Sequence, residues 1–553
     1  MTGTPAGPPP HPPVGSSRSL GYHCGGRRRK LPTVEHYNAF EEIGSAVKGI
    51  ATRKRACALA VIGLLGFLLI ISASWKATPD SALYLELGES LAVGKGFLFN
   101  GESHTYVPPG YPGMIALVVT FFGKGFLHYR ILMAALGVLT ALAGWVLVAR
   151  LCGRDTAFIA GGLFALNHSL LHNACFTASD VPFAFVCLVG LNALASAAGD
   201  KHRVFWTVVS GLLLSLPPLV RVNGWGIPPA AAIFLLAAWK DRSYPERAVW
   251  AGAFLVLAII PGALWVWYKT SFPGSVDEGS YLEAIGGRDW ASQVDIIFRS
   301  AWGYVSETTE ALSGLTIKTG FLELAVPVLV LIGAAAAWFN GERLFVPLTV
   351  IQLGGLLLSP AGNRYIIFLL PGLYLFLFLG IERCRQWVAV RMSKHGASLL
   401  SGRRLLIGVF IAFALFNVGH NIITIVGARS ALERDGAESA RDLPFFQAAR
   451  WLRGNAPGSV VLTMHPRVLH YLSGLRTVEL VRSGVPEHQV WVDARDQIRG
   501  LIERNDPAFL FSDAKNRAQY RHVMEAIESL DMQVREIEDA GCSTRFRLWR
   551  ILR

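Results

Sequence analysis

Two carboxylates and three cations, each placed where an apolar segment ends, carry the chemical possibilities of this chain. Asp80 sits in Thr78-Pro79-Asp80-Ser81, where Thr78 suits a helix N-cap and Pro79 the first helical position. Gly94 suits the C-terminal cap, so the spacing predicts a short amphipathic helix lying along a membrane surface, with Asp80 in its first turn. There Asp80 either complements the helix dipole, an effect of about 0.3–1 kcal/mol, or holds a carboxylate beside a lipid headgroup. Asp180 lies between Thr177-Ala178-Ser179 and Val181-Pro182-Phe183, at the start of another apolar helix. It caps that helix or, with Asp80 at one membrane cavity, positions an acceptor and takes its proton. Lys95 ends the surface helix, Arg221 follows Pro217-Pro218-Leu219-Val220, and Arg364 precedes an apolar helix in Gly362-Asn363-Arg364-Tyr365. Each cation alone is accounted for by snorkelling to the interface; together they suit a bound phosphate. His104 and His172 have no ligand-like spacing, so no metal site is expected from them.

The elements that must position these residues are membrane helices. Of 553 residues, 52% are hydrophobic and 16% charged, against about 25% charged in soluble domains. The net charge of +13 sits in clusters beside apolar runs, and no basic stripe with interleaved aromatics appears, so nucleic acid is not an expected partner. The seven cysteines are scattered without a CxxC pair, and Cys542 stands alone in the C-terminal region. Residues 1–50 form a Pro/Gly/Ser-rich, basic tail of disordered character. The first apolar run begins near Cys57 without a cleavage site and reads as a retained helix.

Apolar runs near 57–74, 129–150, 156–174, 180–198, 204–220, 224–239, 247–268, 319–338, 344–359, 365–383 and 404–426 can each span, or nearly span, a bilayer. Gly110–Phe122 reaches only about 20 Å, short of a core about 30 Å thick. Read as non-spanning, it leaves the basic loops Arg150–Asp155, Lys201–Arg203, Lys240–Arg247, Glu342–Arg343 and Glu382–Arg404 all on the N-terminal, cytoplasmic side. Read as spanning, it would invert every later loop. The first reading puts Asp80, Lys95, Asp180, Arg221, Arg364 and residues 427–553 on the opposite face. The last of these regions alternates strand-like stretches (459–463, 508–511, 533–538, 545–551) with helix-like ones (445–453, 518–529), as a small α/β domain does. The transmembrane part would occupy 51–426.

Taken in order, Asp80…Tyr84…Gly94-Lys95-Gly96-Phe97, Pro108-Pro109-Gly110-Tyr111-Pro112, Arg130, Ser179-Asp180, Leu219-Val220-Arg221 and Arg364-Tyr365…Pro371 cover most of residues 57–385. The ordered set resembles the polyprenyl-phosphate-dependent glycosyltransferases of the GT-C fold, the superfamily of protein O-mannosyltransferases and aminoarabinose transferases. The resemblance implies a polytopic α-helical membrane protein with about eleven spans, surface helices and a small C-terminal α/β domain outside the cytoplasm, in the plasma (inner) membrane. It implies inverting transfer of a sugar from a polyprenyl-phosphate donor to a hydroxyl of a protein, glycolipid or polysaccharide. Asp80 would be the base and Asp180 the second acid. Lys95, Arg221, Arg364, Tyr365 and Tyr84 would bind the donor. Asp80-Ser81 stands where many relatives carry Asp-Glu, and no Asp-X-Asp motif occurs in the first external loop, so no metal or other cofactor is implied. A transporter or lipid flippase is the alternative. It would place ionisable residues in mid-span and show internal repeats, whereas the candidates here lie at span ends.

Overall fold

The structure is a computed structural model that describes residues 61, 63–71, 75, 77–199, 202–239, 241–272, 290–315, 320–339, 344–358, 362–392, 402–431, 443–463, 465–479, 494–513, 517–537, 540 and 546–552. The expected basic tail, and residues 57–60, 62 and 72–74 of the first run, lie outside them.

Seven helices among the described residues are long and apolar enough to cross a membrane: Phe126–Cys152, Asp180–Ala198, Arg203–Val220, Tyr244–Ser271, Gly320–Phe339, Asn363–Ala389 and Ile407–Val426. Two more of the eleven runs are shorter apolar helices, Val222–Ala238 and Phe345–Leu356. The run 156–174 is broken into Arg154–Ala165 and His168–Ala174. Asn167 makes the break. Its side-chain oxygen caps the second helix at Leu170 N (3.1 Å), while its amide donates to the Ala311 carbonyl (2.7 Å) and to Tyr374 Oη (2.9 Å). These tertiary partners hold the side chain in the cap position. Gly110–Phe122 is a 13-residue helix and falls outside the seven.

The helix predicted around Asp80 runs Pro79–Ala92. Thr78 caps it by accepting from Ser81 N at 3.1 Å, and Ser81 Oγ accepts back from Thr78 N at 3.0 Å. At its far end Gly94, with φ of 73°, donates to Leu91 O while Lys95 donates to Ser90 O, the paired bonds of a Schellman motif. The helix differs from the expected surface element in being covered. Ser81 through Leu85, Leu87 and Gly88 are buried. A Cβ at Gly88 would meet Ile115 Cγ2 at 2.5 Å and Pro112 O at 2.8 Å, so this glycine sets how closely the Gly110–Phe122 helix can approach. The opposite cover comes from the C-terminal region.

That region is built from β1 (Val461–Thr463), β2 (Thr477–Glu479), β3 (Phe509–Asp513), β4 (Gln533–Glu536) and β5 (Phe546–Leu552), which form a five-stranded sheet in the order β2-β1-β3-β5-β4. β1 pairs in parallel with β2 and β3; β5 is antiparallel to β3 and β4. The strand and helix positions expected from the sequence are all occupied, with helices at Leu443–Asn455 and Arg517–Glu528. Alternate strand residues bury opposite faces. Leu462, Leu510 and Trp549 pack with Ile498, Ile502 and Val523 of the outer helices. Val461, Phe509, Phe511 and Leu548 join a core that is continuous with the membrane helices.

Candidate active site

Asp80 is one of three carboxylates, with Asp180 and Glu310, that the fold brings to a single cavity of about 720 Å³, whose wall also includes Thr78, Asn363 and Arg364. Its side chain is half exposed (47%) and stands between two guanidinium groups. Arg364 Nη1 is 3.6 Å from one carboxylate oxygen and Arg467 Nη1 is 3.6 Å from the other. Those distances exceed the roughly 2.7–2.9 Å of a tight charge-assisted bond. Both oxygens therefore lie in a positive field while staying open to a ligand.

Asp180 is in the opposite condition. It is 3% exposed and paired with Arg221. Arg221 Nη1 also donates to Ser179 Oγ at 3.2 Å, and that hydroxyl is 3.0 Å from Tyr84 Oη. Burial pushes the Tyr84 phenol up to about 12, with Arg221 pulling the other way, so Tyr84 keeps its proton at neutral pH. The Arg221 and Arg364 guanidinium carbons lie 5.0 and 4.9 Å from the Tyr365 ring centroid, within cation–π range. Arg364 Nη2 also donates to Tyr365 Oη at 2.9 Å. The turn that carries Arg364 is fixed by Asn363 N donating to Glu307 Oε2 at 2.8 Å.

The structure thus gathers Asp80, Asp180, Tyr84, Arg221, Arg364 and Tyr365 in one connected cluster. Lys95 is exposed at the far end of the Asp80 helix, about 20 Å along its axis, and is not among the described residues that line the cavity. His104 is buried among Phe97, Phe99 and Tyr106, and burial lowers its pKa to about 3. Among the described residues, no three His, Cys, Asp or Glu side chains are placed to hold a metal ion.

Two features escaped the sequence reading. Arg467, from the C-terminal helix Pro466–Ser473, supplies one of the guanidiniums at Asp80. The same helix clamps the Asp80 helix. His470 Nε2 meets Glu86 at 2.8 Å, and Tyr471 Oη donates to Glu89 at 2.7 Å. Glu89 also accepts from Tyr129 Oη (2.8 Å) and pairs with Lys124 (2.8 Å). The second feature is a histidine cluster on the cavity wall, formed by His168, His172 and His420. The i, i+4 spacing of His168 and His172 was visible; their meeting with His420 was not.

Residues 106–265 match the family model of dolichyl-phosphate-mannose-protein mannosyltransferases. A 187-residue stretch is 24% identical to an uncharacterised protein of Aquifex aeolicus (strain VF5), covering 33% of this chain and 37% of that relative. Among solved structures, the chain is similar to ArnT from Cupriavidus metallidurans bound to undecaprenyl phosphate. There the TM-score is 0.59 and the identity 15%, over 90% of this chain and 98% of that one. It is also similar to the oligosaccharyltransferase AglB from Archaeoglobus fulgidus in complex with an inhibitory peptide and a dolichol-phosphate (TM-score 0.53, 12% identity, 86% and 72% covered). The chain is a multi-pass membrane protein with the fold of the GT-C glycosyltransferases, and its residues 106–265 carry the mannosyltransferase-type sequence pattern of that group.

Proposed function

We propose that the protein transfers a sugar from a polyprenyl-phosphate carrier to an acceptor hydroxyl at the extracytoplasmic surface of the membrane, with inversion at the anomeric carbon. The observation that carries this reading is the pair of guanidiniums at Asp80, 3.6 Å from either oxygen, on a cavity large enough for a sugar. In the step, the Asp80 carboxylate takes the acceptor's hydroxyl proton. The acceptor oxygen bonds to the anomeric carbon from one face as the bond to the phosphate oxygen breaks on the other. The electron pair leaves with the polyprenyl phosphate.

The carrier phosphate is already a good leaving group, so positioning and charge stabilisation do most of the work. Arg364, 41% exposed and beside Asp80, faces the phosphate. Arg221 is committed to Asp180, so this pair braces the Tyr84–Ser179–Tyr365 cluster behind the cavity face that Asp180 lines. Lys95 stands outside this centre. The cytoplasmic N-terminus and extracytoplasmic C-terminal region follow from the loop charges.

The reading is supported by the family match, by the fold shared with ArnT, and by the undecaprenyl phosphate that ArnT was solved with. The test is to purify the protein in detergent, identify co-purifying lipids by mass spectrometry, and supply labelled polyprenyl-phosphate sugars with candidate acceptors. Transfer of label with release of polyprenyl phosphate is expected. Lipid scrambling without transfer would replace the enzyme with a flippase.

A further inference from the structure

Three imidazole rings that the proposed reaction leaves idle line the same cavity as Asp80. His168 and His172 lie one turn apart on the His168–Ala174 helix, and His420 comes from the Gly402–Ala431 helix. The His168 ring centroid is 4.5 Å from His420, with planes tilted by 34°, and 5.5 Å from His172, tilted by 41°. Phe176 continues the row, 5.2 Å from His172 and nearly at right angles to it. The two helices are stapled by asparagines. Asn417 Oδ1 accepts from His168 N at 2.7 Å, and Asn421 Nδ2 donates to Leu166 O at 3.0 Å. Holding these helices together therefore does not fall to the imidazoles.

His168 carries the strongest sign of a ligand. Its side chain is 7% exposed, it lines the cavity, and its Nδ1 is buried with no hydrogen-bond partner. The rings lie tilted against one another, and no metal-holding arrangement forms among the described residues. In the same cavity Arg364 offers the place for the phosphate, which leaves the histidine wall to an uncharged part of the donor. A neutral, hydroxyl-bearing ring suits it well. Its C–H face packs on ring faces, and its hydroxyls pair with ring nitrogens.

We propose that His168, His172, His420 and Phe176 form the subsite that holds the ring of the transferred sugar while Asp80 and Arg364 act at its anomeric end. This rests on the proposed transferase reading and assigns residues to its sugar. The test compares binding of bare undecaprenyl phosphate with that of undecaprenyl-phosphate mannose and undecaprenyl-phosphate aminoarabinose, to wild type, His420→Ala and His168→Phe. The last variant keeps a ring and removes the nitrogens. Wild type is expected to favour one sugar-bearing lipid over the bare lipid by about tenfold, the scale of one lost ring contact. Both variants are expected to lose that margin while binding bare undecaprenyl phosphate as wild type does.

Variants that keep the margin, or a wild type with no margin, would overturn the subsite and leave carrier recognition standing. Equal loss of bare-lipid binding would show that the wall serves the phosphate or the fold. An unchanged donor margin with a raised acceptor KM would give the wall to the acceptor and overturn the assignment. Absence of binding to any of the three lipids by wild type would remove the transferase reading itself.

Discussion

Replacing Arg221 with alanine would leave Asp180 buried without its countercharge. The carboxylate is 3% exposed and Arg221 16%, so little water is available to take over. Removing one partner of a buried pair costs about 3–5 kcal/mol. Ser179 Oγ and Tyr84 Oη remain close by, which puts the expected loss at the lower end, about 3 kcal/mol. The double variant Asp180→Asn/Arg221→Gln removes both charges and keeps hydrogen-bonding capacity. It should recover about 1–2 kcal/mol relative to the sum of the single changes, a coupling typical of contacting residues. Equilibrium unfolding in mixed micelles measures all four proteins of the cycle. Donor binding should weaken with Arg221→Ala, because Tyr365 loses one of its two guanidinium neighbours. An Arg221→Ala stability within about 0.5 kcal/mol of wild type, the size of an ordinary surface change, would refute the bracing role, as would strict additivity in the cycle.

Arg467→Ala should lower kcat/KM about fivefold, matching roughly 1 kcal/mol for charges 3.6 Å apart beside a half-exposed carboxylate; steady-state kinetics would show it, with Arg467→Lys partly restoring activity. The His470 imidazole is raised above its usual 6.5: burial opposes its charge, but the bond to Glu86 outweighs burial. A raised folded value means that the clamp stabilises fully below the unfolded value and fades as pH rises through the folded one. The thermal midpoint should therefore fall on going from pH 6 to pH 9, and His470→Gln should flatten that profile. Gly88→Ala should destabilise by about 1–3 kcal/mol through overpacking against Ile115 and Pro112, read as a lower thermal midpoint.

What the sequence made legible was local or periodic. Thr78-Pro79 at one end of a helix and Gly94 at the other are decided by neighbours a few residues away, and both caps formed. Strand alternation in the C-terminal region likewise reported its own burial. The missed features depend on distant chain segments. Asn167 breaks an apolar run because Ala311 and Tyr374 hold it, and neither lies near it in the sequence. Glu86 and Glu89 give the Pro79–Ala92 helix a polar face that reads as solvent-facing. His470 and Tyr471 cover that face from the C-terminal region. Arg467 reaches Asp80 by the same route, which no local pattern encodes.

Asp80 is the residue proposed to take the acceptor proton. The direct measurement is kcat and donor affinity for wild type and Asp80→Asn with the donor identified by the lipid screen. A fall in kcat of about 10²–10⁴, the usual contribution of a positioned base, is expected, with donor affinity little changed. Equal kcat in the two proteins would contradict it.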